Sequence, residues 1–234
     1  MSSSKRLTIL HTAEINDLYG VPSLTLEEKR ISFALNDLEM DMIKSIRDRN
    51  HKCYAIALLG YFKIKPIPLN PSYKALQEDL NFIAAEYFPK FKVPRFSINN
   101  KQKTRIYDKI LSLVNFNPWD ATQHQDPLIA HLQRIAQSWI ESRFLFDACT
   151  EYLARNHIAI PKYTVLQRII SQVIKQERKR IADTLKTTLS DELSANLEEL
   201  VDGKNTLTIK ELKQAAKSFT APELKKELDV NHLI

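Results

Sequence analysis

The chain has 234 residues, 44% of them hydrophobic and 26% charged, which suits one large or two small soluble domains. Its three glycines, Gly20, Gly60 and Gly203, are too few for a turn-rich β architecture or a phosphate-cradling loop. A net charge of +6 suits a polyanionic partner without requiring one.

Helix-start signatures recur along the chain. A capping side chain followed three residues later by Glu or Gln satisfies two otherwise orphaned backbone donors. Thr25/Glu28 and Asn36/Glu39 are the first such pairs, and Leu38, Met42, Ile43 and Ile46 follow at helical spacing. Lys44, Arg47 and Arg49 then close one helix, and Asn50, His51 and Lys52 open the next. Cations at a helix C-terminus complement its dipole, so structure alone can explain the first three. They also make a basic junction: residues 43–65 hold six cations against one acid. The apolar body Tyr54, Ile56, Ala57, Leu58, Tyr61 and Phe62 reads as core. Cys53 and Cys149 each fall in an apolar helical pattern and read as buried thiols in a reducing compartment.

Pro66, Pro68 and Pro71 separate a helix ending near Lys63 from one starting near Ser72. The stretch 89–100, with Pro89 and Pro94 and no helical period, reads as a linker between modules. Beyond it, Lys101, Lys103 and Arg105 sit at a new helix start, where backbone N–H groups favour an anion. Pro118 and Pro127 are read as lying between shorter helices. No stretch alternates strictly between hairpin turns.

The segment Glu151–Arg180 is the most informative. One helix is expected to end near Asn156 and a long amphipathic one to follow Pro161, capped by Thr164 with Gln167. The stripes Leu145, Cys149, Leu153 and Leu166, Ile169, Ile170, Val173 face inward, which gives the skeleton of a helix-turn-helix unit. Residues 151–181 hold seven cations against two acids. In that arrangement Lys162, Tyr163, Thr164, Gln167, Arg168, Ser171 and Gln172 would reach base edges. Lys175, Arg178 and Lys179, running out of the groove, suit phosphates. From 182 to 234 acids outnumber cations ten to seven, with further caps expected at Thr208/Glu211 and Thr220/Glu223.

The fold class is therefore all-α: two consecutive helical modules with helix-turn-helix-like units, plus a short helical C-terminal tail. The modules are placed at 1–88 and 101–189, and a following helical region begins at 190–234.

Catalytic readings fare poorly. The six histidines show no HExxH spacing and no clustering with cysteine. A nucleophile elbow, a Walker loop and a Rossmann glycine pattern are all missing. No cofactor, metal or catalytic residue is expected, and the chain is read as non-enzymatic. Neither a membrane-length apolar run nor a secretory leader is evident, so a cytoplasmic protein is expected.

The order of several short motifs resembles a known family. Leu7-Thr, Glu14 and Leu18-Tyr-Gly-Val-Pro come first, then Arg47, Arg49 and Ala55-Ile-Ala-Leu-Leu. Arg105, Phe116-Asn-Pro-Trp, His157-Ile-Ala-Ile-Pro and Thr164-Val-Leu-Gln-Arg follow. Together they resemble the N-terminal region of Tn-three family transposases over about residues 7 to 230. The resemblance implies sequence-specific binding of double-stranded DNA at transposon terminal inverted repeats, through two helical modules. It implies contacts from Arg47, Arg49, Asn50 and Lys52 in the first module and from Arg105, Thr164 and Arg168 in the second. It also implies that the family's catalytic triad lies much further along a longer chain, and that dimerisation uses regions beyond this one. Two rivals remain. One is a helical protein-interaction module with only non-specific DNA affinity, and the other is an enzyme with an unrecognised helical active site, such as a metal-dependent nuclease.

Overall fold

The computed structural model describes residues 7–188. Among them there are nine helices and no strand, only an isolated bridge between Asn117 and Ile158. The protein is all-α. Residues up to Glu177 form one compact unit, and a second begins at Arg178. The caps expected at Thr208 and Thr220, and the tail from 190, lie outside the described residues.

The first unit is built around α4 (Arg49–Ile64), in which ten consecutive residues, Cys53–Phe62, are buried. A helix apolar on all sides belongs in the middle of a bundle. Asp48 caps it by accepting from the His51 amide at 2.9 Å. Around it pack α2 (Leu26–Ser32), α3 (Asp37–Lys44), α5 (Tyr73–Tyr87) and α6 (Asn100–Leu113). The capping boxes expected at Thr25/Glu28 and Asn36/Glu39 form, and α5 starts after Ser72. Gly60 lets α2 approach α4 closely. A Cβ there would sit 2.4 Å from the Phe33 ring and 2.8 Å from the Ser32 carbonyl oxygen.

Two buried carboxylates lock this layer. Asp79 of α5 accepts from the Tyr61 hydroxyl and pairs with Lys29 of α2 at 2.7 Å. Glu39 of α3 pairs with Lys63 at 2.8 Å, and the same ammonium donates to the Ala34 carbonyl at 2.9 Å. The second half of the unit adds α7 (Ala121–Ala136) and α8 (Ser142–Arg155), packed as neighbours, then α9 (Tyr163–Thr188). The short α1 (Thr12–Tyr19) has no fully buried residue.

Three sequence expectations need correction. The stretch 89–100 is not a free linker. Phe91, Val93, Phe96 and Ile98 pack against a core that both halves share, so the two expected modules are one unit. Pro127 lies inside α7 rather than between helices. It forfeits one backbone bond, and burial of Leu128, Ile129 and Leu132 directly after it holds the helix. Third, α8 and α9 are joined by seven residues rather than the tight turn of a helix-turn-helix. Ile158, Ala159 and Ile160 are buried. Their segment exchanges hydrogen bonds with Asn117 at 2.7 and 2.9 Å and donates to the Pro66 carbonyl at 2.9 Å.

Candidate nucleic-acid interface

Two groups of exposed cations stand out on the first unit. The first centres on α6, whose start is fixed by a capping box between Asn99 and Gln102. Lys101 and Arg105 are exposed one turn apart, and Lys109 continues the row. The Lys109 ammonium donates to the Ser45 hydroxyl at 2.7 Å, which brings the α3–α4 turn and its exposed Arg47 alongside. Arg49 is exposed at the start of α4, its guanidinium 5.9 Å from the Phe91 ring centroid. That contact adds the segment bearing Lys90 and Lys92, both exposed. Sequence reading missed Lys109, Lys90 and Lys92. Helical spacing from Lys101 and Arg105 marks Lys109, whereas the other two come together only through tertiary contact.

Three residues expected at this surface are less available. Asn50 is half-buried, and its Oδ1 is buried with no partner. Lys52 is half-buried, and the Lys103 ammonium donates to Asn70 Oδ1 at 2.7 Å.

The second cluster lies on α9. This helix starts at Tyr163, so Thr164 is already helical and does not cap it. The first turn closes instead on Lys162, whose carbonyl accepts from the Val165 amide at 2.9 Å. Three expected base readers are turned to internal work. The Tyr163 hydroxyl accepts from the backbone amides of Ile9 and Leu10, both at 3.2 Å. Gln167 Nε2 donates to the Leu7 carbonyl at 2.7 Å, and the Ser171 hydroxyl donates to the Gln167 carbonyl at 2.6 Å. Tyr163 and Gln167 thereby anchor the N-terminal segment against α9.

What remains is a coherent stripe. Thr164, Arg168, Gln172 and Lys175 are exposed, spaced at helical intervals, with exposed Lys162 just before them. No acid occurs in α9 before Glu177. Arg168 donates to Gln125 Oε1 of α7 at 3.2 Å, and Gln133 of α7 donates to Gln176 at 3.0 Å. Both bonds join residues 43 positions apart, so α7 and α9 run parallel in register along this seam. Gln125, Gln133 and Gln176 went unremarked in the sequence because only the fold brings Gln125 to Arg168 and Gln133 to Gln176. Arg178 and Lys179 are exposed on the part of α9 that belongs to the second unit.

Among the described residues no three His, Cys, Asp or Glu side chains are placed to hold a metal ion. Burial raises the thiol of Cys53 to about 11 and that of Cys149 to about 12, so both stay protonated. No described helix is long and apolar enough to cross a membrane.

A family model described as a domain of unknown function, DUF4158, matches residues 9–173. The chain belongs to this family. The DUF4158 match takes in α1 to α8 and the buried part of α9 up to Val173, so both basic clusters begin inside it. No curated protein matches the chain. In this DUF4158 chain the matched segment and the compact unit end within four residues of each other.

Proposed function

We propose that this DUF4158 chain is the non-catalytic, DNA-binding N-terminal region of a Tn-three family transposase, and that it recognises the terminal inverted repeats of its element. The observation that carries the reading is the acid-free stripe Thr164, Arg168, Gln172 and Lys175. It rises from a helix whose other side is fully used in packing. The motif order described above, most of which falls within residues 9–173, supports the transposase assignment.

Affinity and register would come from phosphates gripped by Lys101, Arg105, Lys109, Arg47 and Arg49 on one surface and by Lys162 and Lys175 on the other. Sequence choice would come from Arg168 to guanine and Gln172 to adenine, the pairings their side-chain geometry allows. Tyr163, Gln167 and Ser171 move from reading bases to holding the helix in place. Gln125 preorganises Arg168 by accepting from its guanidinium. Cleavage and strand transfer are assigned to a following part of the transposase, and the site of action to the cytoplasm.

Arg168→Ala tests the assignment. On the cognate site it is expected to cost about 1–3 kcal/mol and to relax preference at one base pair. Lys175→Ala should instead weaken all duplexes alike. Fluorescence anisotropy on cognate and shuffled duplexes separates the two. An equal loss for Arg168→Ala on both duplexes would reduce Arg168 to a phosphate contact.

A further inference from the structure

The face made by α1 and α8 differs in character from both basic clusters. An open groove of about 720 Å³ lies between these helices, with Leu18, Ile67, Phe146 and Ile160 among its apolar lining. That volume is in the range of sites that bury a ligand. Its walls are acidic. Glu14 and Asp17 of α1 are three residues apart, and Asp147 and Glu151 of α8 are four apart, so each pair shares one helix face.

Two cations line the groove, Lys65 and Arg143, and both are engaged. The Arg143 guanidinium binds Glu14 and lies 3.5 Å from Asp147. Lys65 donates to the Asp17 carbonyl at 2.6 Å and is 3.8 Å from its carboxylate. The Asp17 side chain stays 87% exposed. Glu151 pairs with Arg155 of its own helix at 2.6 Å. The Glu14 carboxyl is held below its usual range by the His11 backbone amide and by Arg143, so this wall is charged at neutral pH.

With four carboxylates against two cations in its lining, the apolar trough keeps an acidic excess that disfavours phosphate. It complements a helix with one apolar stripe flanked on both sides by cations one turn apart. We infer that the α1–α8 groove docks a basic amphipathic helix of a partner protein. This surface is independent of the α9 stripe, so it stands whether or not that stripe reads DNA.

The test uses the full chain and two fluorescein-labelled helical peptides of roughly four turns. Both carry Leu at i, i+3, i+4 and i+7; one is flanked by Lys and the other by Glu. Anisotropy should show the Lys peptide binding at least tenfold more tightly. Ala154→Trp, which fills the groove, should abolish that binding. Asp17→Lys combined with Glu151→Lys, both on the surface, should reverse the preference between peptides. The inference is overturned if neither peptide binds, or if the Lys peptide binds wild type and both variants equally. It is also overturned if the chain self-associates and Ala154→Trp abolishes that association, because a second copy would then be the occupant. DNA affinity, measured in parallel, reports separately on α9.

Discussion

Asp79→Ala is expected to destabilise the first unit by about 3–5 kcal/mol, the cost of removing one partner from a buried ion pair. Asp79 is only 6% exposed and joins three helices through its two oxygens. One accepts from the Tyr61 hydroxyl on α4, and the other pairs with Lys29 on α2 at 2.7 Å. Alanine would leave the Lys29 ammonium, itself 15% exposed, without its counter-charge, and the phenol without an acceptor. Burial, with the Asp79 carboxylate beside it, raises the Tyr61 phenol far above its usual range, so tyrosinate cannot relieve the loss. Against a typical total of roughly 5–15 kcal/mol this is a large fraction. Asp79→Asn should cost less, because it keeps an acceptor for Tyr61. Chemical denaturation of the three proteins measures the difference. A loss under about 1 kcal/mol for alanine would mean that the network adds little.

The second large effect concerns the α6 face. Replacing Lys101, Arg105 and Lys109 together with alanine should weaken binding to every duplex, cognate or not. Each phosphate contact adds about −0.9 to the slope of log affinity against log salt, so three should flatten it by roughly 2.7. At about 0.1 M salt the same arithmetic gives a loss of up to a few hundredfold. All three side chains are exposed, so folding should change by less than about 0.5 kcal/mol each. Titrating salt with the triple variant and wild type checks both numbers. An unchanged slope would remove α6 from the interface.

Local chemistry made much of this fold legible in the sequence. The caps at Thr25 and Asn36, the all-apolar run of α4 and the break before Ser72 depend on residues a few positions apart, and the structure has each of them. Several of the gaps share one cause. The stretch 89–100 looks like a linker because its prolines are local, whereas the core that Phe91 and Phe96 join is built from distant helices. The sequence places the connector between Asn156 and Pro161 but not its anchoring, because its hydrogen-bond partners, Asn117 and Pro66, are far away in sequence. Within the site, Tyr163 and Gln167 lie at the edge of the polar face of α9. Only the N-terminal segment, more than 150 residues away, turns them inward. Thr164, Arg168, Gln172 and Lys175 kept their expected exposure because helical periodicity alone places them.

The most direct measurement is the salt dependence of binding by the full chain to a duplex from the terminal repeat of its own element, beside a shuffled duplex. The expected result is a slope of roughly −5 to −9, from six to ten neutralised phosphates, with clear preference for the repeat. A slope of about −1 with no preference would contradict DNA reading by this chain.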